Sequence, residues 1–133
     1  MNASQKAAAR SAIAGAYDGS MDFPSIIVAL SDAGFEGYAV DYRRAAATYY
    51  LPSGSSFELS LPADEGYVAA NFSGASIKEA IREAQRNGTG YTYKGFCRKV
   101  MAAGCAGYMV SFPGRRVLYY GRTAEVHVEH FPD

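Results

Sequence analysis

The stretch GRTAEVHVEH near the C-terminal end contains the residues best suited to acid–base chemistry. On a strand, Glu125, His127 and Glu129 point to one face, while Val126 and Val128 point to the other. A histidine flanked by carboxylates holds its proton more strongly and can act as an acid or base near neutral pH. We therefore predict catalytic roles for His127, Glu125 and Glu129. The alternative is that these side chains form the solvated outer face of an edge strand.

Metal and cofactor chemistry has little support in the sequence. His127 and His130 are three residues apart, so on a strand they face opposite sides and cannot bind one ion without a bulge. The chain has no phosphate-binding loop, no G-x-S-x-G, no H-E-x-x-H and no paired C-x-x-C motif. We predict no metal site and no cofactor.

Tyrosine is the second notable feature, with eleven tyrosines and no tryptophan. In each of two Tyr-Tyr pairs the side chains must lie on opposite faces of a sheet, so one joins the core and one covers the second face. Aromatic residues on that face would form a ligand groove or a self-association surface; alternatively, both faces are covered and the tyrosines are ordinary core. The residues predicted to bind a ligand are Asp41, Tyr50, Tyr120 and Arg122.

The sequence segments that are expected to position these residues occur twice in the chain. AGFEGYAVDYRRAAATYY at 33–50 and AGCAGYMVSFPGRRVLYY at 103–120 align without a gap, 70 positions apart. Each is preceded by an apolar stripe of helical period and followed by alternating residues typical of a hairpin. Gly34 and Gly104 stand where a left-handed residue ends a helix. One charge is not repeated, because Ser111 aligns with Asp41.

Helix starts and third strands complete the pattern. Asp22 and Thr92 are predicted N-caps, and Ser76 with Glu79 is predicted to form a capping box for the helix between the copies. A third strand follows each hairpin. Its apolar residues are out of step in the two copies, with Phe57, Leu59 and Leu61 in one and Val126 and Val128 in the other, which predicts a bulge or a one-residue slip.

These elements predict an α+β fold in a single domain, residues 1–133. The internally duplicated helix–helix–three-strand unit occupies about 1–62 and about 74–133, with a loop at 62–74. Two such units are expected to pack about a pseudo-two-fold axis as an antiparallel sheet of about six strands with four helices on it.

The patterns AG..GY.VDY.....TYYLPSG and V..AGCAGY.V.....RV.YYGR..E.HVEHFP resemble the domain of unknown function 1398 family, short bacterial proteins of which some carry the label "phage envelope protein". The resemblance covers nearly the whole chain and implies no activity, cofactor or catalytic residue. Ala124 departs from the family, which favours glycine after the Arg-x turn.

Composition restricts the function further. The 13 basic and 13 acidic side chains balance, so we expect no nucleic-acid partner, and no apolar run is long enough to enter a membrane as a span. Only two cysteines favour a reduced, cytoplasmic protein. We expect a binding or interaction module that uses a tyrosine-lined sheet face, with a homodimer partner or a small-molecule ligand. The alternative is a small enzyme with His127 beside Glu125, Glu129 or Asp41.

Overall fold

The computed structural model describes residues 1–62 and 66–132; residues 63–65, inside the loop predicted at 62–74, and Asp133 lie outside the described residues. The described chain forms four helices, α1 (Ala3–Asp18), α2 (Phe23–Asp32), α3 (Gly74–Arg86) and α4 (Tyr93–Ala102). It also forms six strands, β1 (Gly37–Asp41), β2 (Ala46–Tyr50), β3 (Ser56–Ser60), β4 (Cys105–Ser111), β5 (Arg116–Gly121) and β6 (Val126–His130).

The fold has two layers, and the α+β prediction is confirmed. The six strands form one antiparallel sheet in the order β3-β2-β1-β4-β5-β6. Residues from all four helices pack with one face of this sheet in a single core that includes Leu30, Ile77 and Val100 from helices and Tyr49 and Val110 from strands. The other face, here called the open face, has no helix of the described chain packed on it.

The helix ends follow the sequence signals at most positions. Asp22 and Thr92 cap α2 and α4 as predicted, each accepting a hydrogen bond from a backbone N–H three residues later. Gly34 and Gly104 have φ of 101° and 91° and each follows a helix directly, so that prediction is confirmed. The predicted capping box in α3 is wrong.

Helix α3 begins one turn earlier than its predicted capping box. Ser73 is the N-cap, and its hydroxyl accepts the N–H of Ser76, which therefore lies inside the first turn. Serine stands at both positions, so composition alone allowed either start. The capping box is at α1 instead, where Asn2 and Gln5 hydrogen-bond each other's backbone.

The third strands of the two halves have the same phase, so the predicted bulge or slip between them is wrong. Tyr49 pairs with Phe57, and Tyr119, 70 positions after Tyr49, pairs with His127. His127 therefore occupies the place of Phe57, on the helix-covered side. A bulge does occur, but in β4, where Ala106 has no partner across from it in β5.

The central strand pair is symmetric in register. Ala39 of β1 pairs with Met109 of β4, its own counterpart at an offset of 70. Gly37 pairs with Ser111, and Asp41 pairs with Gly107, so each end of one strand meets the opposite end of the other. The two halves thus place corresponding residues at related positions on the open face.

Asp41 and Ser111, which stand at equivalent positions in the two halves, have the same structural role in the turns that follow them. The Asp41 carboxylate accepts the backbone N–H groups of Arg43 and Arg44, and the Ser111 hydroxyl accepts the N–H of Gly114. Both side chains therefore stabilise the turn that follows them, which aspartate and serine do equally well. The carboxylate of Asp41, which has no charged counterpart in the second half, is therefore explained by its hydrogen bonds to the turn.

The turn before β6 contains a non-glycine residue in the left-handed region of backbone conformation, and the cost of this conformation can be measured. Ala124 has φ of 67°, and its counterpart Gly54 has φ of 94°. Because a Cβ disfavours the left-handed region, we expect Ala124→Gly to raise the free energy of unfolding by about 1 kcal/mol and Gly54→Ala to lower it similarly. Urea unfolding of both variants measures the difference. A stabilising Gly54→Ala would contradict this account.

Candidate functional site

His127 lies on the helix-covered side of β6, which reverses the predicted orientation of this strand. Its Nε2 is 3.1 Å from Oε2 of Glu129, and its ring packs near Tyr119 at 6.3 Å between centroids. The His127 side chain is 22% exposed. Val126 and Val128, predicted to be buried, are 54% and 36% exposed. The prediction fails because register with β5, rather than hydrophobicity within β6, sets the faces.

Glu129 lies between His127 and Arg82 of helix α3. Arg82 donates from Nη1 to Oε1 of Glu129 at 2.7 Å, and the Glu129 side chain is 17% exposed. Burial opposes ionisation of Glu129, but the hydrogen bonds from Arg82 and His127 outweigh it and lower its pKa below the usual value. These three residues, here called the β6 ion cluster, connect α3 to the edge strand.

Glu125 is not part of the β6 ion cluster. It lies in the turn before β6, where its carboxylate accepts the hydroxyl of Thr123 and its carbonyl accepts the N–H of Gly121. The predicted set of one histidine between two carboxylates is therefore reduced to His127 and Glu129. Sequence reasoning missed Arg82, which is 47 residues from Glu129 and has no local signal.

The arrangement offers little for a metal or cofactor. Among residues 1–62 and 66–132, no three His, Cys, Asp or Glu side chains converge closely enough to hold an ion. A surface depression of about 360 Å³ lies between α3 and α4, lined by Glu83, Arg86, Tyr91 and the backbone of 88–90. None of the predicted catalytic or ligand-binding residues lines it. The carboxylate of the β6 ion cluster is already engaged by two donors, Arg82 and His127.

The open face is a grid of three rows across six strands, read here from β3 to β6. The first row is Ser56, Tyr50, Gly37, Ser111, Arg116 and His130; the middle row is Glu58, Thr48, Ala39, Met109, Leu118 and Val128; the third row is Ser60, Ala46, Asp41, Gly107, Tyr120 and Val126. Because side chains alternate along every strand, the intervening residues face the helices.

The middle and third rows of the β4-β5-β6 half of the open face are apolar and at least partly exposed. Met109 is 55% exposed, and together with the two exposed valines, Leu118 and Tyr120 it forms a contiguous surface. We call this surface the apolar patch: Met109, Leu118, Tyr120, Val126 and Val128. The corresponding residues of the other half are Ala39, Thr48, Tyr50, Ser56 and Glu58, and all of these except Tyr50 are smaller or more polar than their counterparts. Contiguous exposed apolar surface in a folded protein is typical of an interaction site.

Two of the predicted ligand-binding residues lie close together on the open face. Tyr120 crosses β4 above Gly107, where any larger side chain would overlap its hydroxyl, and so approaches Asp41. Burial and the negative charge of Asp41 raise the pKa of Tyr120, while Arg43 lowers it. The Tyr120 hydroxyl is therefore a neutral hydrogen-bond donor at pH 7.

The other two predicted ligand-binding residues lie elsewhere. Tyr50 is in the first row on β2, and Tyr120 is in the third row on β5, so roughly 14 Å of sheet separates their strands. Arg122 lies in the turn after β5 and donates to the carbonyl of Val68 at 3.3 Å. One tyrosine of each pair does face the core, namely Tyr49 and Tyr119, and the other lies on the open face.

These features define a small α+β protein with a sheet covered by helices on one face and exposed on the other. The chain belongs to the family described as Protein of unknown function (DUF1398), whose profile matches residues 12–130. A search of curated proteins found no match. In the described part of the chain, no helix has the length and apolar character needed to cross a membrane.

Proposed function

We propose that this protein is a non-catalytic binding module whose open face is its contact surface for another protein. The apolar patch is the observation that carries this proposal. Its residues lie side by side on adjacent strands, with Met109, Val126 and Val128 largely or partly exposed. Leaving this surface in water costs free energy that a partner would recover, at roughly 25 cal/mol for each Å² covered.

The charge distribution favours a protein partner. The chain has 13 basic and 13 acidic side chains, and a nucleic-acid surface normally requires a basic excess. On the open face the polar side chains of Arg116 and His130 lie in the first row beside the apolar patch, and Asp41 lies in the third row near Tyr120. An apolar centre with a polar rim is the usual composition of a protein interface.

The enzyme alternative receives less support. An acid or base must reach a substrate, whereas His127 faces the helices and Glu129 is held by two donors. Asp41, the other carboxylate considered for this role, accepts two backbone N–H groups in its turn. A ligand that raises the melting temperature of the wild type but not of His127→Ala would revive the alternative.

We also propose that the chain arose by duplication of one helix–helix–three-strand unit and that it works in a reducing compartment such as the cytoplasm. The repeated element order, the offset of 70 in the central pairing and the matched turns support duplication. Cys97 and Cys105 are both buried and neither forms a disulfide bond, which supports a reducing compartment.

The binding proposal is tested in extracts of the native host with a tagged chain. The wild type should migrate in a complex larger than the chain alone, and Leu118→Arg should migrate as the chain alone. His127→Ala, on the opposite face, should keep the complex. Leu118→Arg should fold, because its counterpart Thr48 is polar at the same register position. A complex that survives Leu118→Arg would overturn the proposal.

A further inference from the structure

Resting on the proposed function, we infer that the partner is a second copy of this chain, bound with the two open faces packed against each other. Two copies of one sheet can bury the same apolar patch against itself, which is the self-complementarity that a two-fold dimer requires. Sheets that pack face to face lie about 10 Å apart with their side chains interdigitated. Met109, Leu118 and Val128 would occupy that layer.

The area of the open face is sufficient for a dimer of modest affinity. Six strands about 4.8 Å apart, each with five residues of about 3.4 Å, give roughly 500 Å². Covering this face on both copies removes roughly 1,000 Å² from water, which is near the lower limit for a specific interface. The dimer is therefore expected to dissociate on dilution.

The distribution of side chains selects one relative orientation. With the two-fold axis along the middle row, each strand packs over the same strand of the second copy, so Leu118 meets Leu118 and Met109 meets Met109. With the axis along the strands, Val128 would instead lie over Glu58 and Leu118 over Thr48. The first orientation buries apolar side chains against apolar ones and is the one we assign.

The charges agree with this orientation. Rotation about the middle row exchanges the first and third rows, so Arg116 of one copy lies over Tyr120 of the other. A guanidinium over a tyrosine ring is a favourable cation–π contact. Glu58 lies over its own copy on the edge strand β3, where its side chain is about half exposed to solvent and Arg44 already pairs with it at 3.0 Å.

Sedimentation of the purified chain over a concentration series tests self-association. The wild type should pass from monomer to dimer, and Leu118→Arg should raise the dissociation constant by roughly tenfold or more. The matched control is Val28→Arg, since Val28 is 59% exposed but stands on α2, away from the open face. That variant should dimerise like the wild type.

Cysteine cross-linking tests the orientation. Leu118→Cys lies on the proposed axis and should be linked to its own copy by a short bifunctional thiol reagent, because a separation of about 10 Å between the sheets is too long for a direct disulfide but within the reach of such a reagent. Arg116→Cys, on the same strand and face but off the axis, should not be linked covalently by the same reagent. The native Cys97 and Cys105 are buried, so the wild-type chain treated in the same way gives the background level of cross-linking. A dimer formed instead by pairing β6 of one copy with β6 of the other would leave both cysteine variants without a covalent link.

The outcomes separate this inference from the proposed function. A purified chain that stays monomeric at every concentration overturns the second-copy inference, while a Leu118-dependent complex in host extracts would leave the binding module intact with a different partner. A dimer in which neither Leu118→Arg nor Leu118→Cys has its expected effect also overturns the second-copy inference, since the contact would then lie off the open face. The proposed function itself is overturned only by a complex in host extracts that survives Leu118→Arg.

Discussion

Replacing Gly104 with alanine should lower the free energy of unfolding by about 3 kcal/mol, the largest effect we expect from a single methyl group in this protein. Gly104 has φ of 91°, a region that disfavours a Cβ, and it is buried. The new Cβ would also overlap the carbonyl oxygen of Asn71 and the Cα of Phe72. Backbone atoms cannot move aside as a flexible side chain can, so strain and overpacking add.

Gly34→Ala is the matched control for this prediction. Gly34 has φ of 101° and the same place after a helix, but the nearest atom to a new Cβ is Nε2 of Gln5 at 3.3 Å. A flexible side chain can yield, so only the conformational cost of about 1 kcal/mol should appear. Urea unfolding of both variants gives the comparison. Equal losses would show that packing against Asn71 is unimportant.

Glu129→Gln should lower the free energy of unfolding by about 1–3 kcal/mol at neutral pH, because a half-buried carboxylate loses its charge beside two donors. Arg82 donates to Glu129 at 2.7 Å and His127 lies 3.1 Å away. Glutamine keeps the shape and one acceptor oxygen, so the loss reports the charge rather than the packing. Chemical unfolding at pH 7 measures it.

The pH dependence of the Glu129→Gln loss has a definite direction. The folded state lowers the pKa of Glu129, so its contribution is fully present above the unfolded pKa, about 4.3, and is lost as the pH falls through the folded pKa. The stability difference between wild type and Glu129→Gln should therefore be present at pH 6 and shrink below about pH 4.

The control for this prediction is Glu58→Gln. Glu58 also pairs with an arginine, Arg44 at 3.0 Å, but both side chains are about half exposed or more. Exposed pairs contribute little because water screens them, so we expect a loss within about 0.5 kcal/mol. A loss at Glu58 as large as that at Glu129 would mean that the burial of the β6 ion cluster contributes nothing.

Local chemistry made most of the helix ends predictable from sequence, although the start of α3 was predicted one turn too late. Gly34 and Gly104 ended their helices as expected, and Asp22 and Thr92 capped them, because a cap depends on residues within one turn. The role of Asp41 is also local, but Asp41 was predicted to bind a ligand, so this local signal was missed. A carboxylate just before a turn with free N–H groups is a recognisable signal, and it explains Asp41 without a ligand.

The candidate site was less predictable because it depends on contacts between distant segments. The pair Arg82–Glu129 joins residues 47 positions apart, and nothing near either residue indicates the other. The apolar patch combines Met109 of β4 with Leu118 of β5 and Val128 of β6. No one of these strands is unusual alone, and the patch exists only because the sheet places them side by side.

By itself, the sequence determined the α+β class, the repeated order of helices and hairpins and the alternation of side chains along β6. It did not determine which alternate residues of β6 face the helices. Val126 and Val128 are the more apolar set, yet pairing of Tyr119 with His127 places His127 and Glu129 inward and both valines on the open face. The tertiary structure decided this because a strand fixes only that its side chains alternate, whereas register with its neighbour fixes the direction of each.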